Sequence, residues 1–379
     1  MRGRPRILYL HYAPSAGFPP LLNSAEIFVR LGWSVMFLNV SAEGTTGLGM
    51  PHGPGITATQ LRHGAAGWRQ KGLMGRFCAR ALAMTVRWRP DWIYVSDVLA
   101  CPAGLAVSYL TRRVVYHEHD VPEIPRANMA WRASFAARRT LSRRARLCIA
   151  PNSRRGETLR DQTGATDVEV VWNCPLRKDA LPRREESGGT ALRLYYHGSI
   201  NVELLPESVF AALSRVPDAT LHIVGYETMG SRGYSDRVRQ LARQYGIDGR
   251  IELVPAMPRE RLFIEARKHD VGLALMPTRS GNVNHRTMVG ASNKAFDYLA
   301  AGLPLLVSDL PDWTQVYVAP GYGMACDPES PDSIAAGLRS FASARARTHA
   351  MGEAGRQRVL LDWNYEHQFE HVLETIKST

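Results

Sequence analysis

The sequence of 379 residues is long enough for two domains, each with its own hydrophobic core. Hydrophobic residues make up 45% and charged residues 22%, which is ordinary for a soluble globular protein. The five cysteines include no CxxC pair, which argues against a disulfide framework or a zinc ribbon and favours a reducing cytosol. No uncharged run reaches the ~20 residues of a spanning helix, and the first apolar stretch is too short for a signal peptide.

The net charge of +12 is unevenly distributed. Residues 1–184 contain 27 Lys and Arg against 12 Asp and Glu, whereas residues 185–379 contain 20 against 23. Such a basic half fits an anionic membrane surface, an anionic acceptor or nucleic acid, and it equally fits a solvated basic helix face. The absence of a nucleic-acid recognition motif argues against nucleic acid. The excess is nearly all arginine, including Arg138, Arg139, Arg143, Arg144 and Arg146.

Short apolar runs alternate with helical stretches through the first half of the chain. The runs are rich in Val, Ile, Leu and Tyr and mostly lack polar alternation, which is typical of strands buried on both faces of a parallel sheet. The predicted strands cover residues 6–10, 34–40, 92–95, 113–117, 146–151 and 168–172. The predicted helices cover residues 20–31, 73–88, 100–110 and 127–144.

A charged segment without apolar periodicity, residues 177–190, is predicted to link two domains. The alternation then restarts. Strands are predicted at 192–197, 220–224, 250–254, 270–276, 304–307 and 323–326, and helices at 204–213, 235–245, 259–268, 292–301, 333–341 and 362–377. Two successive βα arrays predict an α/β protein with two doubly wound, Rossmann-like domains. The predicted boundaries are 1–180, 190–361 and a C-terminal helix at 362–379.

The strongest chemical signal is ASNKAFDYLAAGLPLLVSD, residues 291–309. Ser292 or Asn293 can cap a helix there, and a helix start offers N–H groups and a positive dipole end to a phosphate. Lys294 lies in the first turn, where a cation is unfavourable unless an anion is nearby. Asp297 lies three residues on, so Lys294 can meet a phosphate while Asp297 meets a ribose hydroxyl. A surface Lys–Asp pair before an ordinary turn would explain the same residues.

Residues 292–304, SNKAFDYLAAGLP, resemble the donor-site segment of the family 4 retaining glycosyltransferases. In that family a carboxylate at the place of Asp297 binds the nucleotide ribose, and the preceding helix start binds the diphosphate. The resemblance covers most of the chain and is strongest over 192–326. It implies the GT-B fold, in which two Rossmann-like domains face across a cleft and the last helix crosses back to the N-terminal domain.

Three further segments carry the resemblance. The strand and turn LRLYYHGSINVELLP, residues 192–206, would place Gly198 and Ser199 at the diphosphate. The run VVYHEHDVPE, residues 114–123, would place the family's active-site histidine at His119; taken alone, its HxH pattern also fits a metal site. The first βα turn would bring Gly17 close to the donor or acceptor, although a plain Pro/Gly loop has the same composition.

The sequence departs from the family pattern at three positions. Ser199 stands where many relatives carry a diphosphate-clamping Arg, Leu204 is near where they carry a Lys, and Val289 replaces a Glu. Lys294, or Arg286 together with the preceding histidine, is expected to supply the missing positive charge. A donor site impaired by these changes is the alternative.

The resemblance implies a glycosyltransferase that moves a sugar, with retention and without a bound metal ion or other cofactor, from a nucleotide-diphosphate sugar to a hydroxyl acceptor. The acceptor would be a glycan, a lipid-linked molecule or a small molecule, in polysaccharide, glycolipid or glycoconjugate synthesis at a cytoplasmic location, with contact to the inner membrane face left open. The predicted catalytic residues are His119 and Lys294, and the predicted donor-binding residues are Gly17, Gly198, Ser199, Arg286, Ser292, Asn293, Lys294 and Asp297. Two rivals stay open: a non-catalytic binding or partner subunit, and a nucleotide-sugar epimerase.

Overall fold

The structure is a computed structural model and describes residues 3–41, 50–63, 68–122, 129–182 and 191–378. The chain divides into two units. Unit 1 comprises Met1–Asn173 with Tyr365–Thr379, and unit 2 comprises Cys174–Asn364. Residues 183–190 of the predicted linker, and the first two residues of the helix predicted at 127–144, lie outside the described residues.

The described strands of unit 1 form one parallel sheet of seven strands in the order β3-β2-β1-β4-β5-β6-β7. These strands are β1 (Arg6–His11), β2 (Ser34–Val40), β3 (Ile56–Leu61), β4 (Trp92–Ser96), β5 (Val114–His117), β6 (Leu147–Ala150) and β7 (Val168–Val170). The helices that connect them are α1 (Pro19–Arg30), α2 (Trp68–Trp88), α3 (Cys101–Ser108), α4 (Met129–Arg144) and α5 (Ser153–Thr163). The central strands are almost fully buried, as expected when helices cover both faces of a sheet.

The described strands of unit 2 form a second parallel sheet, in the order β10-β9-β8-β11-β12-β13. They are β8 (Leu192–Ser199), β9 (Ala219–Tyr226), β10 (Ile251–Pro255), β11 (Val271–Ala274), β12 (Leu305–Ser308) and β13 (Gly323–Cys326). The helices are α6 (Glu207–Ser214), α7 (Tyr234–Gln244), α8 (Arg259–Ala266), α9 (Val283–Arg286), α10 (Asn293–Ala300), α11 (Pro311–Trp313), α12 (Pro331–Ser343) and α13 (Arg345–Leu361).

Two short helices at the end of the chain, α14 (Tyr365–Gln368) and α15 (Glu370–Lys377), belong to unit 1. The ring of Phe369, between them, meets the ring of Phe28 on α1 edge-on at a centroid distance of 5.9 Å. Glu366 on α14 accepts a hydrogen bond at 3.1 Å from Arg30, which also lies on α1. Unit 1 is therefore built from two stretches of chain, and unit 2 is inserted between them.

The predicted fold class is confirmed: the protein is α/β, with two Rossmann-like, doubly wound arrays. In each sheet the strand order reverses beside the first strand, between β1 and β4 and between β8 and β11. Ligands of such sheets bind beyond the carboxyl ends of the strands at this reversal. None of the described helices is both long and apolar enough to cross a membrane.

Candidate active site

The end of β8 and the start of α10 meet in unit 2. Gly272 on β11 makes this approach possible, because a Cβ there would lie 2.4 Å from the ring of Tyr298 on α10. The Tyr298 hydroxyl accepts the N–H of His197 on β8 at 2.9 Å. The first turn of α10 is therefore held against the last residues of β8, Gly198 and Ser199.

Lys294, in the first turn of α10, points at the end of β8. Its Nζ donates to the Tyr196 hydroxyl at 3.1 Å and lies 4.7 Å from the centre of that ring. Burial lowers the pKa of Lys294 to about 7. Across the part of the chain that the structure describes, no carboxylate lies within ion-pair distance of this amine. The phenol of Tyr196 thus offers this half-buried amine a hydrogen bond but no counter-charge, which leaves the amine available to an anion.

Gly198 provides the space in front of Lys294. Its φ of +114° is rarely adopted by residues with a side chain, and a Cβ at this position would lie 2.8 Å from Lys294 Cε. The Tyr196 hydroxyl donates to the Ser199 carbonyl at 2.5 Å, which fixes the turn that follows. The backbone of Gly198 can therefore come close to a group bound by Lys294.

Asp297, one turn further along α10, is fully buried and already has partners. Its two oxygens accept from the two terminal nitrogens of Arg259 at 2.9 and 2.6 Å, and one oxygen lies 3.3 Å from His197 Nε2. Burial alone would raise the pKa of Asp297, but the Arg259 guanidinium and His197 outweigh it and hold the pKa below its usual value. The predicted contact of Asp297 with a ribose stays a prediction, and a ribose hydroxyl would have to share these oxygens.

The other predicted donor residues lie at or near the same place. Ser292 is the N-cap of α10 but its side chain makes no capping hydrogen bond, so it leaves the first-turn N–H groups to another acceptor. Asn293 Oδ1 is buried and has no partner among the described residues. Arg286 is exposed at the end of α9, and its neighbour His285 lies 3.4 Å from Glu203 in the loop after β8.

His119 lies in unit 1, directly beyond β5, and is buried. Its Nε2 is 3.1 Å from the Ser96 hydroxyl at the end of β4, and its N–H donates to Asp97 at 3.0 Å. Burial, reinforced by the neighbouring rings of His117 and His11, lowers the pKa of His119 well below its usual value. The imidazole is therefore neutral near pH 7. Its Nδ1 is buried without a hydrogen bond in the described part of the chain.

The HxH pattern does not form a metal site within the described residues. Glu118 accepts from the Tyr116 hydroxyl at 2.6 Å and forms an ion pair with Arg138, so its carboxylate is already engaged. His117 Nδ1 lies 2.7 Å from the Tyr94 hydroxyl. Arg138 is buried and therefore does not contribute to a basic surface of unit 1.

Asp120 pairs with Arg155 rather than with His119. The Arg155 guanidinium donates to Asp120 at 2.9 Å and to the carbonyl oxygen of His119. Arg155 therefore holds the peptide of His119, whereas the His119 ring is hydrogen-bonded to the Ser96 hydroxyl. Gly17 ends a 3₁₀ turn just before α1 and donates to the Pro14 carbonyl at 3.1 Å.

A pocket of about 210 Å³ opens at the strand reversal of unit 1. Its lining includes two aromatic rings and two carboxylates, namely Tyr12, Trp131, Asp97 and Asp120. Asp97 has φ 63° and ψ 166°, a conformation that residues other than glycine rarely adopt. Burial raises the pKa of Asp97 to about 8, even though the N–H of His119 opposes that shift. A strained and protonatable carboxyl in a pocket is a feature that often accompanies function.

Sequence reasoning missed Arg259, His197 and Asp97. Asp97 follows β4 directly, and ligands of doubly wound sheets bind beyond the carboxyl ends of the strands, so its position in the sequence was a signal. His197 was quoted within the Gly198 turn but received no role. Arg259 had no signal, because its partner Asp297 is 38 residues away in the sequence and only the folded chain brings them together.

The comparison with protein families gives a match in the second half of the chain. A family model described as "Glycosyl transferase-like" matches residues 206–374. No curated protein sequence matches the chain.

Solved structures resemble the whole chain. The sucrose-phosphate synthase of Thermosynechococcus elongatus superposes with a TM-score of 0.72 at 15% identity, covering 99% of both chains. HepE of Anabaena in complex with UDP-glucose gives 0.70 at 16% identity, covering 99% of this chain and 100% of that one. WaaG, a glycosyltransferase involved in lipopolysaccharide biosynthesis, gives 0.68 at 13% identity with coverage of 99% and 100%. At these identities the likeness shows a shared fold.

Proposed function

We propose that this chain of GT-B fold is a glycosyltransferase whose donor is a nucleotide-diphosphate sugar. The diphosphate would bind in unit 2, where β8 ends and α10 begins. The observation that carries this proposal is Lys294, a half-buried amine that has a phenol, and in the described ranges no carboxylate, beside it. The neighbouring helix start adds N–H groups and the positive end of a dipole. Gly198 leaves room for the phosphates. The likeness to HepE, which was solved with UDP-glucose, supports this donor class.

The chemistry belongs to the same proposal. The bond between the anomeric carbon and the diphosphate oxygen breaks, and the acceptor hydroxyl attacks the face that the diphosphate leaves. The hydroxyl proton passes to a diphosphate oxygen. Lys294 and the first turn of α10 stabilise the charge that grows on the leaving group, and no metal ion is needed for this step. Retention of configuration is supported by the resemblance of residues 292–304 to the retaining enzymes.

Two side chains hold this site in place. Arg259 and His197 bind the carboxylate of Asp297, so α8, β8 and α10 are tied together at one point. The role of His119 at the donor sugar is carried over from the resemblance. Its neutral ring and its buried Nδ1 without a partner suit it to accept a hydrogen bond from a hydroxyl group.

The pocket of unit 1 supports a hydroxyl-rich acceptor. Tyr12 and Trp131 offer faces on which an apolar surface of a sugar ring can lie, and the carboxyl groups of Asp97 and Asp120 can accept from hydroxyls. Exposed arginines on and after α4, including Arg139, Arg143 and Arg146, would favour an acceptor that carries phosphate or lies at an anionic membrane. Assays with glycan and lipid-linked acceptors separate these classes.

Replacing Lys294 by Met tests the donor site. Lys294→Met keeps the length of the side chain and removes its charge, so we expect turnover with the preferred donor to fall about 10²-fold. The donor is first found by a thermal-shift screen of nucleotide-diphosphate sugars, since a bound donor raises the melting temperature. Lys377→Met, at an exposed position on α15, is the matched control and should keep wild-type kinetics.

Stability separates loss of the site from loss of the fold. Because burial already disfavours the charge of Lys294, the Met variant should melt at or above the wild-type temperature when no donor is present. Wild-type donor kinetics in Lys294→Met would refute the assignment. Donor binding without transfer or hydrolysis would indicate the non-catalytic subunit, and an isomerised sugar formed without acceptor would indicate the epimerase.

A further inference from the structure

Three side chains in unit 2 that play no part in the proposed donor site lie together as metal ligands would. They are His222 on β9, Glu265 near the end of α8 and His269 just beyond that helix. One ligand atom from each lies within 4.8 Å of the others. Both histidines are 8% exposed, and the Glu265 side chain is 20% exposed. The cluster is thus largely shielded from water but open on the side of the carboxylate.

The outer ring nitrogens of both histidines are engaged in the manner typical of metal-bound histidines. His222 Nδ1 lies 2.9 Å from a carboxylate oxygen of Glu252, and His269 Nδ1 lies 3.0 Å from the backbone carbonyl of Glu265. Neither acceptor carries a proton to donate, so each Nδ1 carries the hydrogen. Each Nε2 is then left with its lone pair, which is the arrangement that orients an imidazole towards a metal ion.

In the described part of the chain, no group donates a hydrogen bond to the inner nitrogen of His222, Nε2. His222 Nε2 is buried and has no hydrogen-bond partner among the residues that the structure describes. The nearest opposite group is a Glu265 oxygen at 3.6 Å. Two groups with lone pairs therefore face each other, and a cation between them would satisfy both.

We propose that this cluster binds one zinc-class divalent ion through His222 Nε2, Glu265 and His269 Nε2. Two imidazoles and a carboxylate with water as fourth ligand are a set that zinc accepts, with bonds of about 2.0–2.2 Å. Ligand atoms around such an ion lie closer together than 4.8 Å, so the side chains must draw in slightly. Glu265 is the mobile partner, because it now pairs with the exposed Lys268 at 2.6 Å.

The ion would act on the fold rather than on the transfer step. The ring of Tyr195 separates the cluster from His197, with centroid distances of 5.0 Å to His269 and 5.5 Å to His197. A bound ion would fasten the end of α8 to β9. The first residue of the same helix is Arg259, which holds Asp297. A metal ion in this cluster is therefore compatible with a transfer step that needs no metal.

Metal titration of the full chain tests the site. The protein is stripped with a chelator and titrated with Zn²⁺ by calorimetry, and with Co²⁺ by visible absorption, which reports the coordination geometry. We expect one equivalent to bind and to raise the melting temperature. His222→Gln and His269→Gln should each weaken binding by more than 100-fold. His371→Gln is the matched control, since this exposed histidine lies beside Glu374 on α15 and should leave binding unchanged.

Two further variants keep the test decisive if a core variant fails to fold. Glu252→Gln, at a residue whose side chain is 72% exposed, removes the charge behind His222 and should weaken binding about 10- to 100-fold. Lys268→Ala frees the Glu265 carboxylate and should tighten binding several-fold. The proposal is overturned if no stoichiometric ion binds, or if binding persists unchanged in these variants and in His222→Gln.

Discussion

At the end of β5 in unit 1 the buried cation lies against a carboxylate, whereas at the start of α10 in unit 2 the cation lies against a phenol. Arg138 and Glu118 are 1% and 5% exposed and form a two-pronged ion pair. Among the described residues, the Lys294 amine forms its hydrogen bond with the Tyr196 hydroxyl and has no carboxylate partner. A buried charge that has a counterion is already neutralised within the fold. A buried charge without a counterion can instead bind a ligand of opposite charge. Of the two strand edges, the one beside Lys294 is therefore expected to bind an anion.

The largest expected effect lies on the paired side. Glu118→Ala leaves the Arg138 guanidinium buried without its carboxylate, so we expect the free energy of unfolding to fall by about 3–5 kcal/mol. Urea unfolding followed by circular dichroism measures it. Glu118→Leu combined with Arg138→Met removes both charges and should be less destabilised than the single variant. A Glu118→Ala protein as stable as the wild type would erase the contrast with Lys294.

A smaller effect concerns the backbone of Asp97. Both Asp97→Gly and Asp97→Ala lose the carboxylate that accepts from His119, but only glycine adopts φ 63° and ψ 166° without strain. The glycine variant should therefore be the more stable of the two by about 1–3 kcal/mol, against the usual order of alanine and glycine. Thermal unfolding of the two proteins side by side decides it. Equal stability of the two variants would mean that the backbone conformation of Asp97 is not strained.

The smallest effect is a pH dependence that only the unpaired cation should show. Free Lys294, with its pKa lowered to about 7, loses its proton above that pH, whereas a bound diphosphate would keep the amine charged. Binding then takes up a proton, so donor affinity should fall by up to about tenfold per pH unit above pH 7. Calorimetry in buffers of different ionisation enthalpy counts that proton. Lys294→Met should give a flat profile between pH 7 and pH 9.

Much of the fold could be predicted from the sequence because apolar runs mark strands buried on both faces. β3 (Ile56–Leu61) was missed, since this edge strand is only partly buried and its polar residues interrupt the run. α5 and α13 were missed for a related reason. Glycine and arginine recur along α13 (Arg345–Leu361), so the sequence shows no clear apolar stripe although Gly352, Gly355 and Val359 are buried.

The candidate site could be predicted only in part. Local motifs led to Lys294 and Gly198, which the structure brings together across 96 residues of sequence. The partners of Asp297 could not be found in this way. The sequence around Arg259 does not indicate that a distant carboxylate is its partner. The ion pair between Arg259 and Asp297 forms because α8 and α10 lie side by side in unit 2. Long-range ion pairs follow from the fold, whereas helix starts and glycine turns can be found in the sequence.

The return of the chain to unit 1 has a consequence for folding during synthesis. Unit 2 is one continuous stretch, whereas unit 1 needs residues 365–379, which are synthesised after the whole of unit 2. Until then Phe28 lacks its contact with Phe369, and Trp172 lacks the hydrogen bond from its N–H to Gln368. During synthesis, unit 1 therefore exposes part of its apolar surface at a stage when unit 2 can already complete its core. Residues 365–379 therefore complete unit 1 only after unit 2 has been synthesised.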